Sequence, residues 1–380
     1  MKNKTIYKVV FFSFFLLCCL DFIELNSAMT SQSFNNKQVI SAFTDHEPIF
    51  ISNDDNFTDY GFPGEGTIST PYLIEEYRII SSSVYGIYIT STTKHFIIRN
   101  CYIDVNTIGI SILNIAIQTA SIINNTCCHH NYYGITLGES DSGIVKDNIC
   151  YDNQYGIYIY DSENTLIKNN TCYNNDYGIY EWETTACETS QNYCYDNIQG
   201  MYIHTCSDFY IKDNICNDNT EEGIYITTMA NTVTLMNNSC NNNEDGITIV
   251  GSDCILKENL LKLNSGYGIW LEGPSIGNTV HHNKFVDNKL SGGSQARDDG
   301  IQNIWYDTTT NEGNWWNDYS GTGNYTIDGS RNSKDPYPLT DVTTQTTPEP
   351  TETRNDVIFV FTAIFFSVIF IYQSRKKWKN

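Results

Sequence analysis

Apolar residues recur along this chain in short alternating runs at a fixed period. Gly followed by Ile or Met stands at Gly86, Gly109, Gly134, Gly156, Gly178, Gly200, Gly223, Gly246 and Gly268, at intervals of 23, 25, 22, 22, 22, 23, 23 and 22 residues. After most of these glycines the residues at +1 and +3 are apolar, as in Ile135/Leu137, Ile157/Ile159, Met201/Ile203 and Ile224/Ile226. A second column is Asn125, Asn148, Asn170, Asn192, Asn214, Asn238, Asn259 and Asn283, with Ile122, Val145, Ile167, Thr189, Ile211, Leu235, Leu256 and Val280 three residues before. Two residues after each Asn comes Cys127, Cys150, Cys172, Cys194, Cys216, Cys240, Leu261 or Phe285.

Alternation with period two inside short segments predicts strands. A unit of about 22 residues holds three strands and three turns, too little for helical crossovers, and units of constant length stack as a solenoid. The predicted fold is all-β: a right-handed parallel β-helix of about ten coils, roughly 48 Å long at the ~4.8 Å spacing of neighbouring strands, with one C-terminal transmembrane helix.

The columns themselves have structural readings. The Cys column accepts Leu261 and Phe285 at its end, so it is expected to be a buried ladder of free thiols acting as small hydrophobes, in a register poor for disulfides. Cys101, Cys128, Cys187, Cys206 and Cys254 lie outside it, and their pairing is open. The Asn column is expected to stack its amides at one turn and to tolerate left-handed backbone. The Gly column is expected to supply positive φ at another.

The ends set the cellular context. Lys2, Lys4 and Lys8 precede a short apolar run, which predicts a signal peptide over residues 1–28. An N-terminal cap is expected at 29–68, repeats at 69–302, a C-terminal cap at 303–340 and a Thr/Pro-rich stalk at 341–356. Residues 357–374 are predicted to span a membrane, with snorkelling flanks making up a slightly short apolar run. The basic tail 375–380 is then cytoplasmic. Sequons at Asn56, Asn124, Asn169, Asn237 and Asn324 agree with an external ectodomain. Against 22 Lys and Arg stand 44 Asp and Glu, a formal charge of −22 that excludes nucleic acid as a partner.

Two flanking segments are more specific than the coils. Upstream stand Asn53-Asp54-Asp55-Asn56-Phe57, Gly61-Phe62-Pro63-Gly64-Glu65-Gly66-Thr67 and Pro71-Tyr72-Leu73-Ile74-Glu75. Downstream stand Glu312-Gly313-Asn314-Trp315-Trp316-Asn317-Asp318-Tyr319-Ser320-Gly321 and Asp335-Pro336-Tyr337-Pro338-Leu339. With the coils between them, residues 45–340 resemble the NosD-type β-helix proteins of archaeal and bacterial surfaces. The resemblance implies a right-handed β-helix with two caps, on a fold shared with many carbohydrate-binding proteins and sugar hydrolases. Its founding family assists copper delivery to a reductase. The segment after the Trp motif, Asp-rich in many such relatives, here reads Gly323-Asn324-Tyr325-Thr326-Ile327-Asp328. No cofactor is therefore expected, with calcium and copper the two ions that the resemblance raises.

The position two after each Gly is expected to face solvent, and it holds Tyr88, Ser111, Thr136, Tyr158, Tyr180, Tyr202, Tyr225, Thr248 and Trp270. Tyr88, Tyr158, Tyr180, Tyr202, Tyr225 and Trp270 are the candidate carbohydrate-binding stripe, with Asp161, Glu163 and Glu183 as hydroxyl partners; the alternative is a self-stacking ladder. Glu181 interrupts the inward column, and Glu181-Trp182-Glu183 is expected to bulge it into solvent; the alternative is a buried carboxyl with a raised pKa that could serve as an acid. Cys127-Cys128-His129-His130 and His281-His282 contain soft ligands of the kind that suit copper. Since neighbours on a strand face opposite ways, only residues two apart are expected to share a metal ion: Cys128 with His130, and His204 with Cys206. A lyase or hydrolase would need a carboxylate cluster with Arg or His on one face. The nearest approach, Arg297-Asp298-Asp299, is expected to be a solvated loop where the repeat breaks.

The expectation is a cell-surface protein that binds an extracellular glycan or envelope component. The other readings are a polysaccharide lyase or glycoside hydrolase, a metal-delivery accessory and an architectural envelope protein.

Overall fold

The computed structural model describes residues 43–289 and 291–340. The predicted signal peptide, stalk, transmembrane segment and tail lie outside the described residues. Within them, each coil contributes one strand to each of three parallel sheets. The first sheet has 12 strands, the second 11 and the third 10. A representative coil runs through Leu166–Lys168 in the third sheet, Thr171–Tyr173 in the first and Tyr177–Trp182 in the second. The stack opens at Thr44–Asp45 and Ile49–Ile51, which already pair with the next coil.

Like residues stack on like. Ile157, Ile179, Met201, Ile224, Ile247 and Ile269 follow one another in register along the second sheet, all fully buried. Each such burial contributes roughly 1.5–3 kcal/mol, repeated coil after coil. Cys127, Cys150, Cys172, Cys194 and Cys216 form the expected inward ladder in the first sheet. All 11 described cysteines are free and buried, which answers the open pairing of the other five.

The Asn column is a ladder of side-chain amides. Asn148 Nδ2 donates to Asn170 Oδ1 at 3.0 Å and to Ile122 O at 2.9 Å, and the pattern repeats through Asn192, Asn214, Asn238, Asn259, Asn283 and Asn314. Left-handed backbone does occur at this turn, but on the residue before each Asn, for example Asp147, Asn169 and Gln191. A second ladder, Asn153, Asn175, Asn197, Asn219, Asn243, Asn264 and Asn288, runs along the next turn. Its sequence signal is the Cys-x-x-Asn spacing.

The glycine column does not supply positive φ. These glycines lie within or beside strands of the second sheet, and what excludes a side chain there is close approach. A Cβ on Gly178 would stand 2.5 Å from the Gly200 carbonyl oxygen and 3.1 Å from Asn197 Nδ2.

Both ends of the stack are closed by aromatics. Near the start, the helix Asn56–Asp59 places Phe57 face to face with Tyr72, centroids 4.7 Å apart. Near the end, Trp316 stacks between Phe285 at 4.0 Å and Tyr325 at 3.9 Å. Asp335, fully buried, accepts the Trp316 indole N–H at 3.0 Å, and Asp298 accepts that of Trp305 at 3.0 Å. The Trp and Asp-Pro-Tyr motifs are thus halves of one cap.

Candidate functional site: the outer face of the second sheet

The second sheet presents three parallel columns to the outside. The central one carries the predicted stripe, in register as Tyr158, Tyr180, Tyr202, Tyr225, Thr248, Trp270 and Arg297. Before each Gly runs a second column: Tyr133, Tyr155, Tyr177, Gln199, Glu222, Asp245 and Tyr267. The third runs Tyr160, Trp182, His204, Thr227, Val250, Glu272 and Asp299.

The six stripe residues fall into three groups. Tyr158, Tyr180, Tyr202 and Tyr225 are contiguous; Tyr180 and Tyr202 stack at 4.8 Å, Tyr202 and Tyr225 at 5.3 Å. Tyr155 stacks on Tyr177 alongside them at 5.1 Å. Much of each ring face is therefore occupied by another ring, and Tyr158 is only 8% exposed. Tyr88 stands apart beyond Ser111 and Thr136, packed on Tyr85. Trp270 stands beyond Thr248, whose buried hydroxyl has no hydrogen-bond partner. The ladder alternative therefore describes the middle of the stripe, while the open chemistry gathers towards its end.

There the face turns acidic. Glu222 accepts from Gln199 Nε2 at 2.6 Å, and burial raises its pKa. Asp245, 7% exposed, accepts the Tyr267 backbone N–H, and burial pushes its pKa up to about 6. Burial beside Asp299 raises Glu272 as well. Asp299 goes the other way: burial works against ionisation, but hydrogen bonds from Arg297, the Ser330 N–H and the Trp270 indole hold it below the usual carboxylate range. Arg297 Nε lies 2.5 Å from Asp299 Oδ2, with the guanidinium carbon 5.4 Å from the Trp270 ring centre.

Arg297-Asp298-Asp299 is therefore not a solvated loop. Ala296–Asp298 is a strand paired in register with Ile269–Leu271, and Asp298 is buried in the cap. Sequence reasoning missed this basin. Its signal was the column before each Gly, which changes from Tyr to Gln, Glu and Asp between residues 177 and 245. Asp161, Glu163 and Glu183, the acids expected beside the stripe, are all exposed; Asp161 and Glu183 lie at left-handed turn positions past the strands.

Glu181 does not bulge outward. It is fully buried in register between Ile159 and Ile203, where its Oε2 has no partner. Desolvation raises its pKa to about 8, outweighing the hydrogen bond from Thr189.

Neither expected metal pair converges. His129, with φ of 63°, turns the chain between Cys128 and His130, so strict alternation fails. His130 faces inward, its N–H bonded to Asn153 Oδ1 at 3.1 Å and its Nδ1 2.7 Å from Val105 O. Cys128 instead donates to Tyr102 Oη at 3.4 Å, and its ionisable neighbours are His129 and Asp104. Thr205, with φ of 56°, separates the other pair likewise. His204 Nδ1 lies on the outer face 3.0 Å from Thr227 Oγ1, whereas Cys206 is buried against Thr184. The His281-His282 turn does bring two rings together, with Asp307.

The family model described as periplasmic copper-binding protein (NosD) matches residues 152–321, and that of the right-handed β-helix region matches residues 46–194. No curated protein matches the chain. Among solved structures, a double mutant of the periplasmic alginate epimerase AlgG is 18% identical, with a TM-score of 0.50 over 66% of this chain and 71% of that one. The Dettilon tailspike protein is 12% identical, with a TM-score of 0.51 over 72% of this chain and 61% of that one. PfbA, a surface adhesin of Streptococcus pneumoniae, is 11% identical, with a TM-score of 0.48 over 75% and 94% of the two chains. At such identities the likenesses to AlgG and to the tailspike show the fold alone.

Proposed function

We propose that this chain, which belongs to the NosD-type right-handed β-helix proteins, binds glycan outside the cytoplasm on the outer face of its second sheet. The observation that carries the reading is the convergence on one face of Tyr225, Trp270, Arg297 and the carboxylates Glu222, Asp245, Glu272 and Asp299. Sugars are recognised by aromatic faces for their C–H surfaces and by fixed carboxylates and guanidinium groups for their hydroxyls. Four carboxylates around one guanidinium repel uronate chains, so the ligand class is neutral or amino-sugar glycan. Tyr158, Tyr180 and Tyr202 extend the platform, and Tyr88 lies outside it.

A basic, apolar start, the sequons and the periplasmic setting in the family's name support an exported location. Among the described residues no helix is long and apolar enough to cross a membrane; the anchor at 357–374 lies outside them and remains part of this proposal. An envelope glycan is the natural partner under this reading.

One observation favours a second reading, hydrolysis. Asp245 is raised and Asp299 lowered on the same face, and carboxylates pushed apart in this way suit an acid and its ionised partner.

A glycan array carrying neutral, amino and uronic sugars tests both. The purified full chain should bind neutral or amino-sugar glycans, and Trp270→Ala and Asp245→Asn should each lose binding at least tenfold. Failure of the parent to bind any of them would sink the reading. Release of reducing ends from a bound glycan by the parent would establish hydrolysis.

A further inference from the structure

A cluster at the C-terminal end of the stack lies apart from the sugar face. His281 ends the strand Thr279–His281 of the third sheet, and His282 follows with φ of 55°. That left-handed residue swings two consecutive rings to the same side, where strand geometry would have sent them apart. Their Nδ1 atoms stand 2.6 Å from one another, with the rings inclined at 77°. Asp307 reaches them from the cap, where its backbone N–H donates to Glu312 O at 2.8 Å and its carbonyl accepts from Asn311 N at 2.8 Å. One nitrogen of each ring and one Asp307 oxygen all lie within 4.8 Å of one another. On the far side of the His282 ring, Glu312 Oε2 stands 2.9 Å from Nε2.

Two imidazole nitrogens at this separation cannot both present lone pairs, nor both present protons, without repulsion. Either a proton on one nitrogen, donated to the other, or a metal ion in that proton's place satisfies both. Glu312 determines what His282 offers: accepting the Nε2 proton, it leaves Nδ1 unprotonated and directed at His281. A carboxylate behind a histidine in this way orients and strengthens metal-binding imidazoles. Both rings and Asp307 remain partly exposed, so an ion can enter.

We propose that His281, His282 and Asp307 form a binding site for a first-row divalent cation that prefers imidazole, of the Cu²⁺ or Zn²⁺ class, with Glu312 as the positioning residue. Two nitrogens and one oxygen suit such ions and leave coordination positions open. Calcium, which takes six to eight oxygens, does not match. The donor set also fits the cupric form of the metal in the family's name. The other cluster, Asp104 with Cys128 and His129, is a poorer candidate. There His129 is engaged by carboxylates at both nitrogens, Asp104 at 3.1 Å and Asp152 at 3.5 Å, and the Cys128 thiol is buried with its pKa raised.

The site stands or falls independently of glycan binding. The tag-free full chain, stripped with chelator, is titrated with Zn²⁺ by calorimetry and with Cu²⁺ by electron paramagnetic resonance. The expected result is one tight equivalent of either ion, with superhyperfine splitting from two imidazole nitrogens on Cu²⁺. His281→Gln and His282→Gln should abolish that equivalent, Glu312→Gln should weaken it about 10–100-fold, and His129→Gln should leave it intact. Circular dichroism reports whether each variant is folded, and the nitrogen count in the parent needs no variant. A parent without a tight equivalent, a cupric spectrum without two nitrogens, or folded His281 and His282 variants that bind like the parent would each overturn the proposal.

Discussion

The Thr189 hydroxyl donates to Glu181 Oε1 at 2.6 Å inside the coil the two residues share. Both are fully buried, and they replace apolar residues of neighbouring coils: Glu181 stands between Ile159 and Ile203, Thr189 between Ile167 and Ile211. The two exceptions in two columns are partners. A hydroxyl proton gives the carboxyl one hydrogen bond, while its Oε2 has none.

A pH dependence follows from this pair. Burial raises the Glu181 pKa to about 8 from an ordinary 4.5. Between these values the folded chain keeps a proton that the unfolded chain releases. Its stabilising contribution is therefore complete below about pH 4.5 and is lost as pH rises through about 8, at up to ~1.4 kcal/mol per pH unit. Urea denaturation of the parent at pH 5 and pH 8 should show this loss, and Glu181→Gln should flatten it. Equal slopes in both proteins would refute the burial of an ionisable Glu181.

The amide ladder makes a quantitative prediction. Asn192 donates to Asn214 Oδ1 at 3.0 Å and to Ile167 O at 3.0 Å, and it accepts from the backbone and side-chain N–H groups of Asn170. Asn192→Ala leaves buried donors and an acceptor unsatisfied, at about 1–3 kcal/mol each before relaxation. The expected loss is about 2–4 kcal/mol in chemical denaturation. A loss below 1 kcal/mol would mean that neighbouring coils close the gap.

Much of the coil architecture was legible because every coil repeats the same chemistry at the same place. Ile157 over Ile179 and Cys150 over Cys172 needed only a period. The turns were not legible in this way. A single left-handed residue, His129, Thr205 or His282, reverses which side the next side chain faces, and no alternation rule sees it. Hence Cys128 and His130 part company, while adjacent His281 and His282 meet. The acidic basin escaped for a different reason. Glu222 and Asp245 come from one column and Glu272 and Asp299 from another, and each column reads as ordinary polar surface until the sheet sets them side by side.

Glycine at the repeat position answers to proximity rather than to φ. Gly178→Ala would push a methyl group to 2.5 Å from a backbone carbonyl oxygen held in place by the next coil. That oxygen cannot move without breaking the sheet, so a loss of at least ~3 kcal/mol, or failure to fold, is expected. Gly321, with φ of 85° and nothing within 4 Å, is the contrast: Gly321→Ala should cost about 1–2 kcal/mol from backbone strain alone. Thermal melts of the two variants decide the matter, and equal shifts would contradict the close-approach account.

The thiols give the last prediction, because a ladder inside a closed stack can react only when the stack opens. Burial pushes Cys101, Cys187, Cys206 and Cys254 up to about 12, and raises Cys150, Cys194 and Cys216 too. Cys127 and Cys172 go the other way: burial raises them, but hydrogen bonds from neighbouring thiols, and from His130 for Cys127, bring them below the ordinary thiol range. What keeps the whole ladder unreactive is therefore blocked access rather than a scarcity of thiolate. With a thiol-reactive chromogenic disulfide, the 11 described cysteines should stay unlabelled in the native chain and react together in denaturant. Native labelling should accelerate in Gly178→Ala, if that variant folds, because its stack opens more often. Rapid labelling of several of these cysteines in the native parent would mean that the interior of the stack is open to solvent.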